Sequence, residues 1–256
     1  MQNILAIWQR EMKSYFVSPI AYVVLTIFLL ICGGFFFADF SSLVQYTISQ
    51  AQMGQAVQPI DIPREVTQRL FGTMTVILIF IIPMLTMGLF SEEKKRGTIE
   101  LLLTTPVGNF QAMIGKYLAS LTFLLTLIVA SWLTISPLFI YGKPDWRPIF
   151  SGYLGLFLYG AALLALGLFI STLTENQIVA VILTFGLSLA LWIVPAFFPS
   201  TIGVPKDVAS YLSIVSHLDD FIKGVIDTSH IIYYVTFAFV GLFLAYRSLE
   251  SMRWKG

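Results

Sequence analysis

The chain has 256 residues, of which 57% are hydrophobic and only 11% are charged. Soluble domains carry about 25% charged residues, so this composition excludes an ordinary soluble domain and predicts an integral membrane protein. The apolar runs are continuous rather than alternating, which favours helices over an outer-membrane barrel. The net charge of +1 gives no indication of a nucleic-acid partner. The one cysteine, Cys32, excludes an intrachain disulfide framework and is expected to serve packing.

Residues 1–18 are predicted to form an amphipathic helix that precedes the first span. One side of this helix is apolar and carries Leu5, Trp8, Met12, Tyr15 and Phe16. The pattern is typical of an interfacial helix on the cytoplasmic leaflet, and the alternative is a solvated start to the first span. No cleavable signal peptide is expected, because the apolar run that follows is too long for a signal sequence.

Six apolar stretches are each long enough, at about 20 residues, to cross the hydrocarbon core. They cover residues 20–38, 71–90, 117–141, 149–173, 178–198 and 229–246. All 15 basic and 14 acidic residues lie at or beyond the ends of these stretches. Ion-coupled carriers usually keep an ionisable group at membrane depth, so the energy source is expected to lie outside this chain. The pattern describes one membrane domain over residues 1–256.

The distribution of Lys and Arg predicts that both termini are cytoplasmic. In that orientation nine of the 15 basic residues face the cytoplasm: Arg10, Lys13, Lys94, Lys95, Arg96, Lys116, Arg247, Arg253 and Lys255. The six that face outward are Arg64, Arg69, Lys143, Arg147, Lys206 and Lys223. The expected location is the cell inner (cytoplasmic) membrane, crossed several times.

Two longer segments are predicted on the outer side. Residues 40–69 are polar and contain Pro59 and Pro63, which indicates an irregular cap. Residues 200–228 contain an amphipathic segment, 208–226, with apolar residues at helical spacing. We expect this segment to lie at the outer surface or to dip partly into the membrane.

The outer segment and the start of the last span also carry a group of metal-ligating residue types. They are His217, Asp219, Asp220 and His230. A metal site is one interpretation, but two histidines without a supporting cysteine fit the polar face of an amphipathic helix better. We therefore predict neither a metal nor another cofactor.

Residues 91–116 form a loop between the second and third spans and begin with the charged stretch Ser91–Arg96. A charged residue at the membrane centre costs about 2.5–3.5 kcal/mol, so this stretch must leave the bilayer. Gly97 loosens the emerging helix and Thr98 is a candidate N-cap for a new one. Pro106 disfavours helical geometry in the residue before it.

The residues between this cap and this proline are predicted to form a helix of about two turns, 99–104. Ile99, Leu102 and Leu103 share one face, whereas Glu100 and Thr104 share another. Two isolated turns are not stable in water. The helix therefore needs either the membrane surface or a groove on a partner protein.

Residues 83–119, PMLTMGLFSEEKKRGTIELLLTTPVGNFQAMIGKYLA, resemble the coupling region of the type-2 ABC exporter permeases. The shared pattern is an acidic pair, basic residues, Gly-Thr, a hydrophobic residue, a glutamate, a leucine run, a proline and a later Gly-Lys. In this chain these residues are Glu92, Glu93, Lys94, Lys95, Arg96, Gly97, Thr98, Ile99, Glu100, Leu101, Leu102, Leu103, Pro106, Gly115 and Lys116. Residues 217–254 resemble the gliding-motility and nitrous-oxide-reductase-maturation branch.

The resemblance implies an all-α membrane protein with six transmembrane helices and an N-terminal interfacial helix. Such permeases pair as homodimers or heterodimers on two separate P-loop ATPase subunits, and the short helix after the second span docks in a cleft of the ATPase. Membrane lipid and an outer or accessory protein are further candidate partners. The chain itself is not expected to be an enzyme, because no G-x-x-x-x-G-K-[ST] occurs. At the Gly115-Lys116 pair, Phe110 stands in place of the first glycine and Tyr117 in place of Ser/Thr.

The function implied is that of an exporter permease that couples ATP hydrolysis to substrate movement. Two alternatives stay open from the sequence: a permease-like subunit that transmits motion to an outer partner, and a passive channel. Glu175, in the short loop after the fourth span, is either a solvated turn residue or a second contact to the ATPase. Ala161 and Ala165 favour close packing of one helix on another.

Overall fold

The computed structural model describes residues 2–53, 61–98, 108–142, 144–197 and 211–253. Within these ranges the chain is helical, without β-strands. The helices are α1 (Gln2–Val17), α2 (Pro19–Gln52), α3 (Ile62–Thr86), α4 (Ser91–Lys95), α5 (Asn109–Tyr141), α6 (Trp146–Leu173), α7 (Gln177–Phe197), α8 (Leu218–Lys223) and α9 (Thr228–Arg253). Six of them, α2, α3, α5, α6, α7 and α9, are long and apolar enough to cross a membrane. This confirms the predicted number of spanning helices.

Polar side chains and prolines define where several helices begin. Ser18 separates α1 from α2, because its hydroxyl accepts a hydrogen bond from the backbone N–H of Ile20 at 3.3 Å. Asp61 caps α3 and Asp145 caps α6 in the same way, with proline in the first turn of α2 and α3. A capping oxygen satisfies an N–H that has no partner inside the helix. The residue types before α2, α3 and α6 therefore set the start of these three helices locally.

The segment 40–69 is mostly helical in its described residues, so the expected irregular cap is wrong. α2 continues to Gln52 and α3 already begins at Ile62. The hydroxyls of Ser41 and Thr47 each donate to the carbonyl oxygen four residues earlier, at 2.8 Å. Because such side chains bond within their own helix, their polarity does not end it.

Helix α6 occupies the centre of the bundle and contacts α3, α5, α7, α8 and α9. Its glycines allow these neighbours to approach closely, since a Cβ atom added to each would lie 2.2–2.6 Å from a neighbouring side chain. The glycines and the side chains that they face are Gly152 and Phe71, Gly155 and Phe221, Gly160 and Leu124, and Gly167 and Thr86. Small residues are the usual means of close helix packing in membranes.

Helix α9 also packs closely on the small residues of α6. A Cβ atom added to Gly241 of α9 would lie 3.1 Å from the carbonyl carbon and the Cβ of Ala165. Ala161 accepts a hydrogen bond from the phenol of Tyr117 at 3.0 Å. The close helix contact predicted for this stretch is therefore confirmed. Cys32 is fully buried in the core, as expected for a packing residue.

In the described part of the predicted outer segment, residues 211–228, the apolar residues lie on a turn and a short helix, and the position of this segment at the outer surface stays a prediction. The six-residue α8 follows a turn and ends at Gly224, whose φ of +92° favours glycine. Leu218 and Phe221 are fully buried against α6 rather than directed to the membrane or solvent. Helix α8 thus belongs to the packed bundle. The end of the bundle that carries α4 is called the α4 end, and the opposite end, which carries α8, is called the α8 end.

Candidate functional site

The turn between α3 and α4, residues 87–91, is fixed to the end of α6. The hydroxyl oxygen of Ser171 accepts hydrogen bonds from the backbone N–H groups of Phe90 and Ser91, at 3.0 and 3.1 Å. The same hydroxyl donates to the carbonyl oxygen of Met87 at 3.2 Å. Ser171 and Phe90 are fully buried. One buried side chain therefore satisfies three backbone groups of a turn that leaves the bundle.

A second contact ties α4 itself to the same place. The ammonium group of Lys94 donates to the carbonyl oxygen of Thr172, and the hydroxyl of Ser248 on α9 donates to that oxygen at 3.4 Å. Thr172 lies in the last turn of α6, where carbonyl groups have no partner within the helix. The last turn of α6 thus contacts α4 and α9 together.

Helix α4 ends through Gly97, which has a φ of +68°. The backbone N–H of Gly97 donates to the carbonyl of Lys94, and that of Thr98 donates to the carbonyl of Glu93, each at 3.0 Å. This pair of bonds around a left-handed glycine is a Schellman motif. The loosening predicted at Gly97 is a defined helix stop.

Four charged side chains from α1, α4 and α5 meet beside this stop and are called here the ion cluster: Arg10, Glu11, Glu93 and Lys116. The Nζ of Lys116 lies 3.1 Å from an oxygen of Glu11 and 2.9 Å from an oxygen of Glu93. Arg10 contacts the same two oxygens at 2.9 and 3.4 Å. Two cations and two carboxylates make the cluster neutral, and the side chain of Lys116 is only 3% exposed.

The cluster alters the protonation of its α1 members. Burial alone would raise the pKa of the Glu11 carboxyl, but the charge of Lys116 and the hydrogen bonds from Arg10 and Lys116 outweigh it and lower that pKa. The hydrogen bond to Glu11 raises the pKa of Arg10. Both side chains are therefore charged at neutral pH, and the cluster is held by charge-assisted hydrogen bonds.

Helix α1 lies against α5 next to this cluster. A Cβ atom added to Gly115 would lie 2.8 Å from the side chain of Ile7, so only glycine allows this approach. The indole N–H of Trp8 donates to the hydroxyl of Thr122 at 3.0 Å. The rings of Tyr15 and Phe16 pack on Phe123. The residues predicted for the membrane face of α1 thus include three that contact α5, and the position of α1 at the membrane surface stays a prediction.

Of the predicted coupling residues, the structure describes Glu92, Glu93, Gly97 and Thr98. Glu93 is in the ion cluster, with its second oxygen buried and unpaired among the described residues. Glu92 forms an exposed pair with Arg96 four residues on, a type of contact that contributes about 0.3–0.5 kcal/mol. The predicted residues Ile99, Glu100, Leu101, Leu102, Leu103 and Pro106 lie outside the described residues. Capping of the next helix by Thr98 therefore stays a prediction.

The roles of Glu11 and Ser171 and the burial of Lys116 were not predicted from the sequence. Lys116 was placed in the loop 91–116, but α5 begins at Asn109 and includes it. A signal for Glu11 was present, because it lies at helical spacing from Ile7 and Tyr15 on the partly buried side of α1. A carboxylate among such residues indicates a buried cation partner. The cation itself was not evident from local sequence.

At the α8 end, the sequence group of His217, Asp219, Asp220 and His230 is not arranged as a metal centre. No group of three or more His, Cys, Asp or Glu side chains that could hold a metal ion occurs in the part of the chain that the structure describes. His217 is buried at 7% exposure and contacts His230. The interpretation of this histidine as part of a solvated polar face is therefore wrong.

The sequence profile of the family described as "ABC-2 family transporter protein" matches residues 5–247. The chain belongs to the ABC-2 transporter family. The matched range includes all of the ion cluster, the turn on Ser171, five of the six candidate spans and most of the sixth. This confirms the resemblance to ABC permeases.

One curated relative of this ABC-2 chain is the "ABC transporter permease protein NatB" of Bacillus subtilis (strain 168). The two sequences are 28% identical over 160 residues. The match covers 53% of this chain and 42% of the relative, so the chain spans less than half the length of that permease.

Proposed function

We propose that this ABC-2 chain is an exporter permease moved by a separate P-loop ATPase that docks on residues 99–103. The observation that supports this most is the attachment of the turn 87–91 and α4 to the central helix. Ser171 and Thr172 bind the turn and Lys94 from the end of α6. A force applied just beyond Gly97 would reach α6 through hydrogen bonds rather than through a loose linker.

Helix α6 is suited to pass such a force on. It contacts six other helices, α4 included, and is closely packed through glycines on several sides. Packed interiors shift between discrete arrangements and do not deform gradually. A displacement of the α6 end would therefore move α3, α5 and α9 as connected bodies.

The ion cluster supplies a second path from the same loop. Glu93 on α4 and Glu11 on α1 bind the one ammonium group of Lys116 on α5. Because Lys116 is buried, the three helices cannot separate without exposing or leaving unpaired a charge. Movement of α4 is therefore transmitted to α1 and α5 together.

The predicted docking segment explains why a partner is needed. Ile99, Leu102 and Leu103 would expose an apolar face outside the membrane, and burying one leucine contributes about 1.5–3 kcal/mol. The sequence contains no P-loop of its own. In this proposal both termini and the α4 end face the cytoplasm of a cell whose inner membrane the protein spans, and two ATPase subunits serve two permeases.

The second permease has apolar surface available on the outer helices of the bundle. Only 17% of the most apolar 18-residue stretch of α2 is buried within one chain, and the percentage for α7 is the same. Leu30 on α2 and Ile182 on α7 are 70% and 62% exposed. Lipid or a second copy of the permease would cover such surface.

The test is purification of the tagged chain with its ATPase from native membranes. We expect Leu102→Asp to lose the ATPase, because an unpaired charge would enter an apolar groove. Thr104→Asp is the matched control, since it introduces the same charge on the other predicted face and should retain the ATPase. Glu100→Ala should leave a complex whose ATP hydrolysis no longer depends on the permease.

The outcome of this comparison separates docking from a membrane-surface role. Retention of the ATPase by Leu102→Asp at the wild-type yield would contradict the docking proposal. A structure of the complex with nucleotide then tests export, because a continuous cavity between two permeases is expected. A permease pair that moves without opening a cavity would instead support the transmission of motion to an outer partner.

A further inference from the structure

The two histidines of the chain, which are its only two, form a chain of hydrogen bonds at the α8 end. The Nδ1 atoms of His217 and His230 lie 2.7 Å apart. The Nε2 of His217 lies 3.1 Å from the carbonyl oxygen of Tyr211. The Nε2 of His230 lies 2.9 Å from a carboxylate oxygen of Asp220. The sequence of contacts is thus carbonyl, imidazole, imidazole, carboxylate.

The protons available do not match these contacts when both rings are neutral. Three hydrogen bonds require three hydrogens, whereas two neutral imidazoles carry two. The carbonyl at one end and the ionised carboxylate at the other can only accept. All three bonds form only when the pair of rings holds one additional proton.

The geometry also indicates which ring carries the charge. The carbonyl of Tyr211 requires a hydrogen on Nε2 of His217, and burial lowers the pKa of His217, which favours the neutral ring. Its Nδ1 then accepts from Nδ1–H of His230. That leaves His230 as the cation, with its second N–H directed to Asp220. The ring of Tyr233 stacks on His217 at a centroid distance of 3.8 Å and shields it from solvent.

We propose that His217, His230 and Asp220 form a proton-binding site that clamps α8 to α9 when the proton is bound. Asp220 lies on α8 and His230 in the first turn of α9. Loss of the proton leaves two hydrogens for three contacts, so one of the two contacts of His230, to His217 or to Asp220, loses its hydrogen bond. The buried residues Leu218 and Phe221 still hold α8 on α6, so release affects the α8–α9 contact and not the whole fold.

Among the residues that the structure describes, the other groups around the pair do not supply a hydrogen to it. Helix α6 packs on this region through Pro148 and Gly155, which do not titrate. The titratable groups near the pair in the described ranges are Tyr211, Tyr233 and Tyr234, Asp219 and Lys223 on α8, Asp227 before α9, and Arg64 on α3, which donates to the carbonyl oxygen of Lys223. Imidazole titrates between about pH 5 and 8. The clamp therefore responds to the pH of the medium that bathes the α8 end.

Nuclear magnetic resonance of the full chain labelled with 15N-histidine tests the proton count directly. The protein is placed in lipid nanodiscs and carries an affinity tag without histidine, so only the two rings contribute signals. We expect one cationic and one neutral ring at pH 6, and two neutral rings at pH 9. Two neutral rings, or two cationic rings, at pH 6 would overturn the proposal.

For Asp220→Asn, simple loss of an ion pair would weaken the contact between α8 and α9, whereas our proposal predicts that the contact is kept. The amide N–H of asparagine donates to Nε2 of a neutral His230, so three hydrogens are present without the additional proton. We expect two neutral rings at both pH values in this variant. Asp219→Asn is the matched control, because the carboxylate of Asp219 is exposed and is not among the hydrogen-bond partners of the two rings. This variant should retain the wild-type spectra.

Hydrogen exchange of the amides in residues 218–226 tests the clamp itself. After correction for the intrinsic pH dependence, exchange in the wild type should be about tenfold slower at pH 6 than at pH 9, as expected for one charge-assisted hydrogen bond. In Asp220→Asn the exchange should be equally slow at both pH values. A variant that exchanges rapidly at both, or a wild type without a pH effect, would show that the histidine pair does not hold α8 to α9.

Discussion

Replacement of Lys116 by methionine should destabilise the protein more than any single change at the exposed edge of the ion cluster. Methionine keeps the length of the side chain but removes the ammonium group that lies 3.1 Å from Glu11 and 2.9 Å from Glu93. The side chains of the two acids are only 15% and 19% exposed. Both carboxylates would therefore depend on Arg10 alone.

The magnitude follows from the burial of the group that is removed. Removing one partner of a buried ion pair costs about 3–5 kcal/mol, and the partial exposure of both acids places this change near the lower end. Arg10 has a side chain that is 59% exposed. Arg10→Ala should therefore cost less than about 1 kcal/mol, as for other surface ion pairs.

Thermal unfolding of the purified chain in detergent measures the difference. About 3 kcal/mol corresponds to a decrease in Tm of about 6–12 °C for a chain of this size. A variant that also carries Glu11→Gln and Glu93→Gln should recover half or more of this decrease, because no unpaired charge remains. Equal decreases for Lys116→Met and Arg10→Ala, or no recovery in the neutral variant, would refute the view that the cluster acts through buried charge.

Three further predictions test packing, topology and pH dependence. Gly155→Leu should lower the Tm by an amount that corresponds to about 1–3 kcal/mol, whereas Gly186→Leu, which has open space around its Cβ position, should change it little. In a background without the native cysteine, a cysteine that replaces the exposed Gln52 should react with an impermeant thiol reagent on intact cells. A cysteine that replaces the exposed Lys95 should not react. Labelling of the Lys95 position alone would show that the orientation is reversed. Because the pKa of Glu11 is lowered on folding, its stabilisation should be complete above about pH 4.3 and should disappear as the pH falls through the lowered pKa. The Tm difference between the wild type and Glu11→Gln should therefore shrink in acid, and a difference that grows in acid would contradict this sign.

The helical spans and the charged loop could be predicted because they depend on the hydropathy and charge of neighbouring residues along the chain. A run of apolar residues determines whether a stretch of about 20 residues can cross a membrane, and six such runs appear as six helices. The charged residues of Ser91–Arg96 cannot remain at membrane depth, and Gly97 does end α4. These outcomes need no knowledge of distant parts of the chain.

Helix ends were less well predicted, because packing and local bonds extend helices beyond the apolar run. The polar part of α2 up to Gln52 was expected to be irregular, but its hydroxyl groups bond to their own helix. For the outer segment, the apolar spacing predicted an amphipathic segment but not where a helix within it ends. Burial of Leu218 and Phe221 against Gly155 of α6, and the stop at Gly224, define the short helix α8 on the bundle.

The composition and the spacing of apolar residues determined by themselves that this is a six-span membrane protein with its charges at the helix ends. The tertiary structure alone decided which of those charges meet: Lys116 with Glu11 more than 100 residues away, and His217 with His230 across a helix boundary. Hydropathy is a sum over neighbouring residues, whereas the formation of an ion pair or a histidine pair depends on how two helices cross. That crossing is set by the small residues of α6 and by Gly115, whose contacts arise only once the helices pack.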